Sequence, residues 1–238
     1  KNRTSVLIPK CVSDKNNQDV KFRIDNGQLG GIVSNKTDNN YSLRGEELKN
    51  AEIIDLLNAS GALIMGKTAT SELAYLGPPK TTNPHDYSRT PGGSSSGSAA
   101  SVASLMAPLS IGSQTGGSVI RPASYCGVVG YKPSYGLISR NGVLRTSNTL
   151  DHIGIFARTV EDVALLAKVL IKKDNYDPAT VYYSAENILN ETKKGPLFEP
   201  KFIFYKTDHW KIIDKKSREA FDYFIKSFKN IEVFDEPS

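Results

Sequence analysis

The feature that most constrains this chain is the stretch RTPGGSSSGSAASVASLMAPLSIGSQTGGSVIRPASYCGVVGYKP, from Arg89 to Pro133. Two glycine–serine turns lie inside it, Gly92-Gly93-Ser94-Ser95-Ser96-Gly97-Ser98 and Gly112-Ser113-Gln114-Thr115-Gly116-Gly117-Ser118. Between them, AASVASLMAPLSI is small and apolar, long enough for one short helix and one buried strand. Glycine makes turns that other residues cannot, and lets a ligand approach the backbone closely. Flexible linkers share this composition. A linker, however, does not alternate with core-grade apolar segments or run on into VIRPASYCGVVGY.

A serine-rich turn suggests nucleophilic chemistry, but a hydroxyl is a poor nucleophile until a base takes its proton. Histidine is the usual base, and His85, His152 and His209 leave a Ser–His–Asp arrangement open. The five residues Gly93–Gly97 also match the G-x-S-x-G elbow of that class, in a stretch where serine and glycine are abundant. Ser118 stands where a loop passes into VIRPAS, an arrangement that aims backbone N–H groups at an anion.

The remaining composition is that of an ordinary soluble domain: 238 residues, 39% hydrophobic and 23% charged. No stretch approaches the roughly 20 apolar residues that span a bilayer. The apolar segment in KNRTSVLIPK is too short for a signal peptide. Cys11 and Cys126 sit in no metal-binding or redox pattern. The net charge of +5 is spread among acids and aromatics, so it predicts a solvated surface and no direct nucleic-acid binding. The expectation is a cytoplasmic protein without metal, cofactor or membrane contact, acting on a small molecule, with a homo-oligomer possible.

Along the chain, residues 1–42 read as loop with one or two strands, at Val6-Leu7-Ile8 and Gly31-Ile32-Val33. From Gly45, EELKNAEIIDLLNASG puts Leu48, Ile53, Leu56 and Leu57 near one helical face, with Gly61 as the stop. Ala62 to Met65 predicts a buried strand, and Thr68 to Leu76 a second short helix. Helix, strand and helix in that order suggest a layered α/β fold. Residues 77–93 form an irregular connection. After Pro133 come turns and short strands, with a turn at Asn141-Gly142. Thr159 and Asp162 mark the start of a helix through Val163, Leu166, Ala167 and Leu170. Residues 174–200 read as loop-rich. A strand follows at Lys201–Tyr205, then a helical aromatic stripe of Phe221, Phe224, Ile225 and Phe228 that predicts core packing. The last strand is Ile231–Phe234.

The spacing of the two turns resembles the amidase signature family, serine hydrolases that cleave carboxylic amides with a Ser–Ser–Lys triad. The resemblance implies a layered mixed β-sheet flanked by helices. It places the nucleophile at Ser118 and a proton relay at Ser94, held on a cis Gly93–Ser94 peptide. It assigns the oxyanion hole to the amides of Thr115, Gly116, Gly117 and Ser118. Ser95, Gln114, Arg121 and Asp151 fall at positions expected near the substrate, and Cys126 matches a frequent family cysteine. The family base lies in a VKD-like motif, which VKFRID resembles at Lys21, with Lys36 as second choice. Such a base must be neutral. A lysine of ordinary pKa, about 10.4, needs burial to reach that state near pH 7.

The match is strongest from about Gly61 to Leu166, inside a signature core of about residues 43–171, and poor over 1–42 and 174–238, within one amidase-like domain spanning 1–238. Family members commonly run about twice as long, so the resemblance suggests a truncated form, a fragment or part of a split enzyme. Gln114 and Arg121 follow a variant of the second turn, GSQTGGSVIRPA, met in hydrolytic members. The expected activity is an amidohydrolase working through acyl-Ser118. The alternatives are the glutamine-cleaving subunit of a tRNA-dependent amidotransferase and a catalytically silent binding protein.

Overall fold

The computed structural model describes residues 50–75 and 77–235 in full. Before them it describes the backbone of three strands, β1 (Ser5–Pro9), β2 (Lys21–Asp25) and β3 (Gln28–Val33). The chain divides into two compact units, Lys1–Lys193 and Lys194–Ser238.

The first unit continues with α1 (Glu52–Ala59), β4 (Leu63–Thr68), α2 (Ser96–Ala103), β5 (Leu109–Gln114) and α3 (Ile120–Cys126). It ends with β6 (Val129–Tyr131), β7 (His152–Ala157), α4 (Val160–Leu170) and the one-turn α5 (Ile188–Glu191). Five strands form one mixed sheet in the order β4-β1-β5-β7-β6. β1 runs parallel to both β4 and β5, whereas β7 is antiparallel to β5 and β6. β2 and β3 pair antiparallel in a sheet of their own.

Strand alternation explains the layers. Successive side chains point to opposite faces, so Ile153, Ile155 and Ala157 of β7 join the core formed with Ile53, Ile54 and Leu57 of α1 and Val163, Leu166 and Leu170 of α4. Phe156 points the other way, into a second core with Ala99 and Val102 of α2, Val119 just before α3, and Ala123 and Cys126 of α3. The layered α/β architecture expected from the sequence is the one observed. Thr159 caps α4 by accepting from the Asp162 N–H at 3.1 Å, a bond of the kind that typically contributes about 1 kcal/mol.

The second face is built for close approach. Every residue from Ser96 to Val102 is buried, and their small side chains let α2 sit near the sheet. A Cβ at Gly97 would lie 2.6 Å from the Ala69 nitrogen, and one at Gly112 would lie 2.6 Å from both the Phe156 ring and the Ser95 hydroxyl. Neither position has room for a side chain.

One expected helix is absent. Over its described part, residues 68–75, the Thr68–Leu76 segment is extended through Thr68 and then makes a single 3-10 turn at Glu72–Ala74, where Leu73 and Ala74 adopt left-handed φ values of 49° and 58°. Tertiary bonds override the helical pattern. Ala69 accepts from the Gly97 N–H at 2.8 Å, and Ser71 donates its N–H to the Ser94 carbonyl at 2.9 Å. This segment is a strut for the first glycine–serine turn.

The second unit pairs β8 (Phe202–Lys206) parallel with β9 (Ile231–Asp235), and α6 (Lys215–Lys226) lies between them in sequence. The aromatic stripe packs on β8 through ring pairs such as Phe202–Phe228 and Phe204–Phe221, with Trp210 beside them. It is not core, however: Phe221 and Phe224 remain 45% and 54% exposed. A two-stranded sheet with one helix offers too little surface to enclose these rings.

Candidate active site

The first turn is held by its own hydroxyls. Its Gly93–Ser94 peptide is cis. Ser95 donates to the Ser113 carbonyl at 3.0 Å and accepts from the Ser113 N–H at 3.1 Å. Ser96 donates to Gly92 and Ser98 to Ile111, both through backbone carbonyls. Ser94 is 4% exposed. Among the described residues, the hydroxyls of Ser94, Ser113 and Ser118 make no hydrogen bond. Of the serines crowded into these turns, only those three retain a free oxygen.

The second turn is clamped against the first. The Ser95 N–H donates to the Ser118 carbonyl at 3.3 Å, and Arg121 reaches the Gly93 carbonyl at 3.5 Å. Gln114 is buried and spans the turn. Its amide donates to the Gly116 carbonyl, and its oxygen accepts from the N–H groups of Val119 and Ile120 at 2.9 and 3.1 Å. Those two donors open α3, so Gln114 fixes the entry to the helix. Among the described residues, none accepts a hydrogen bond from the amides of Gly116, Gly117 or Ser118. Such N–H groups are donors still available to an anion.

Asp151 supports the same turn from outside. Its Oδ1 accepts from the hydroxyls of Thr115 and Thr146, and its Oδ2 from the N–H groups of Thr146 and Ser147. Burial pushes the Asp151 carboxyl up, but the bonds from Ser147, Thr115 and Thr146 outweigh it and hold the group below the usual carboxylate range. Asp151 therefore keeps its charge and anchors Thr115. Sequence reasoning placed Asp151 and Gln114 near the substrate; the structure adds what each one holds. Thr146 went unnoticed, and nothing in TSNTLD but its closeness to the aspartate could have signalled it.

The other candidates are placed as follows. His85 meets the Cys126 carbonyl at 2.8 Å through Nε2, and His152 meets the Leu150 carbonyl at 2.6 Å through Nδ1. Neither bonds to a serine of the turns. His209 lies in the second unit, in the 3-10 turn Asp208–Lys211. The middle serine of the elbow-like GSSSG is Ser95, whose hydroxyl is tied to Ser113. Cys126 is fully buried, and burial pushes its thiol up to about 11, as suits a core residue. Lys21 opens β2 in the separate two-stranded sheet; its side chain, and Lys36 altogether, lie outside the described residues. Among the described residues, no group of three or more His, Cys, Asp or Glu could hold a metal ion, and no helix is long and apolar enough to cross a membrane.

Comparison with known proteins places this geometry. The family model described as Amidase matches residues 43–235. A glutamyl-tRNA(Gln) amidotransferase subunit of Sulfurihydrogenibium sp. (strain YO3AOP1) is 47% identical over 150 residues, covering 60% of this chain and 31% of the relative. Among solved structures, a chain from a vestigial protein complex bearing on the evolutionary origins of an s-triazine catabolic enzyme aligns with a TM-score of 0.75 and 27% identity. That alignment covers 99% of this chain and 49% of the other. The corresponding glutamyl-tRNA(Gln) amidotransferase subunit of Thermotoga maritima gives a TM-score of 0.67 and 28% identity, covering 98% of this chain and 49% of its own. The chain thus spans about a third of the length of the curated relative it matches, and about half of the solved chains.

Proposed function

The chain belongs to the Amidase family, and on that premise we propose that its two turns form the site of an amidohydrolase acting through acyl-Ser118. The observation that carries this is the free hydroxyl of Ser118 beside three unpartnered amides, on a turn bolted to the one that holds Ser94. In this reading Ser118 Oγ attacks the amide carbonyl, and Ser94 receives its proton and passes it to a lysine. The carbonyl oxygen, now negative, is held by the N–H groups at 116–118. The proton returns through Ser94 to the leaving amine, and water then releases the carboxylate. Each oxyanion donor in such a hole is typically worth about 3 kcal/mol of transition-state stabilisation.

Two lysines are candidates for the base. Lys21 is the one that the VKFRID motif suggests. Lys10 follows β1 directly in the sequence, and β1 lies between β4 and β5, parallel to the strand that leads into the second turn. The last residue of β1, Pro9, pairs with Thr68, whose hydroxyl meets Ser98 of the first turn at 2.8 Å. A fluorophosphonate probe tests both parts of the proposal: mass spectrometry should find the label on Ser118. Labelling should slow about 100-fold or more in Lys10→Met or Lys21→Met, whichever removes the base. Label on Ser94 or Ser113 with Ser118 free overturns the nucleophile, and an unchanged rate in both variants removes these lysines from the mechanism.

Asp151 acts here as a positioning residue. Asp151→Asn replaces an acceptor of four bonds by a group that must donate with one of its atoms, releasing either Thr115 or the backbone beneath it. A displacement of about 1 Å at an oxyanion donor can cost about 100-fold. The expected outcome is a fall in kcat of about 10- to 100-fold with KM little changed, while Ser118 still takes the probe. An unchanged kcat would show that the turn holds its shape without this anchor.

A second reading, the glutamine-cleaving subunit of a tRNA-dependent amidotransferase, draws on the names of the relatives. The simpler hydrolase is kept first because this chain spans only about a third of that relative's length. Glutaminase activity that arises only with a partner subunit would reverse that preference.

A further inference from the structure

Gln114 ends β5 and is only 4% exposed, whereas Gly116 is exposed and Gly117 and Ser118 are half-buried. Its three bonds settle which way round its amide sits. A backbone carbonyl can only accept, so the atom 3.1 Å from the Gly116 oxygen is the nitrogen. Backbone N–H groups can only donate, so the side-chain oxygen faces Val119 and Ile120. One neutral amide thus grips the chain on both sides of Ser118, as donor and acceptor at once.

A peptide unit is planar, and in its trans form the C=O and the following N–H point in opposite directions. Among the described residues only the Gly93–Ser94 bond is cis, so the Gly116–Gly117 unit is trans. With the Gly116 carbonyl drawn onto Gln114, the Gly117 N–H points away from Gln114, and no described residue accepts from it. Glycine on both sides leaves this unit free to turn over, and a Cβ at Gly116 would meet nothing within 4 Å. Without a donor on its carbonyl, the unit can flip and carry the N–H to the buried side. We infer that Gln114 is a positioning residue for the oxyanion hole: its amide nitrogen holds the Gly116–Gly117 unit so that the Gly117 N–H faces the acyl oxygen at Ser118. The inference rests on the hydrolase reading. It requires a donor at the end of the side chain, which a purely structural role does not.

Gln114→Glu in the full chain keeps the shape and the acceptor for Val119 and Ile120, but its carboxylate has no proton to offer Gly116. Its protonated form has one. Well above the pKa of that carboxyl, kcat should fall about 10- to 100-fold with KM little changed. The ratio of variant to wild-type kcat should climb as pH drops through that pKa, ordinarily about 4.3 and moved up by burial. Gln114→Met, with no donor in either state, should show a comparable loss at every pH. The titrating groups near the turn, Asp151 through Thr115 and His152 opposite Gln114 on β7, are common to all three enzymes and cancel in the ratio. Arg121, whose guanidinium lies beside Gly117, stays charged throughout. A trifluoromethyl ketone, which adds to the nucleophile and leaves an oxyanion in the hole, gives a readout without turnover. As a transition-state analogue it should lose affinity for Gln114→Met by the same factor as kcat, so the test stands even if Gln114→Glu fails to fold. Undiminished kcat or ketone affinity in Gln114→Met overturns the inference, as does a ratio for Gln114→Glu as low and as flat as that of Gln114→Met. A wild type that takes no label at Ser118 defeats the hydrolase reading itself, and the inference with it.

Discussion

Ser118→Ala is expected to abolish amide turnover, a loss of at least about 10³-fold, as when the nucleophile of a serine hydrolase is removed. Ser94→Ala should leave a slow residual rate. The difference follows from what each oxygen does. Ser118 Oγ forms the bond to the acyl carbon, and no neighbour can replace it: Ser95, Ser96 and Ser98 donate into backbone carbonyls, and the Thr115 hydroxyl is held by Asp151. Ser94 only transfers a proton, a task a water molecule can perform less well. Apart from Ser94, Ser113 is the competitor in the turns whose hydroxyl makes no hydrogen bond among the described residues, so Ser113→Ala belongs beside the other two and should retain activity. Steady-state rates for the three variants on one amide decide the matter. Full activity in Ser118→Ala would move the chemistry elsewhere.

The parts of this site legible in the sequence are those made by local residue choice. Glycine at 92, 93, 116 and 117 announced two turns, and AASVASLMAPLSI announced the helix and strand that separate them, observed as α2 and β5; Gly112, read with the second turn, belongs instead to β5. Thr159 and Asp162 marked the start of α4 because a cap is a contact between near neighbours. What the sequence concealed depends on distant partners. Glu72–Ala74 lies in a stretch with helical spacing, yet Ser94 and Gly97 hold its flanks open. Gln114 and Asp151 read as positions near the substrate; the bonds of Gln114 run within the turn and into α3, and those of Asp151 join Thr115 to Thr146 and Ser147. The base is the hardest case. A lysine base is recognised by what surrounds it in space, and the sequence around Lys21 supplies only the VKFRID pattern.

Asp177→Ala should destabilise the first unit by about 3–5 kcal/mol, the range for removing one partner of a buried ion pair. The Asp177 side chain is fully buried and that of Arg140 is 7% exposed. Asp177 accepts from the Arg140 N–H at 2.8 Å, from two guanidinium nitrogens at 3.0 Å and from the Ala179 N–H at 3.2 Å. Without it, a guanidinium remains in the interior with only the Asn148 carbonyl and the Tyr135 ring, 4.9 Å away, for company. Against the 5–15 kcal/mol that typically holds a domain together, such a loss is large. Urea unfolding at pH 7 measures it directly, and a loss below about 0.5 kcal/mol, that of an ordinary surface change, would show that the pair is not buried in solution. Acid supplies a second signature. Burial pushes the Asp177 carboxyl up, but the Arg140 and backbone bonds outweigh it and bring the value down to about 2. Because the folded value lies below the unfolded one of about 3.9, the stabilisation is complete above that pH. It is lost as pH falls toward about 2, where the proton binds the folded state as well. Asp177→Asn, which cannot titrate, should therefore flatten the fall in stability across that window. Arg140 also bonds to Asn148, in the loop that leads to Asp151, so a variant that folds but loosens this clamp should share the kcat defect of Asp151→Asn.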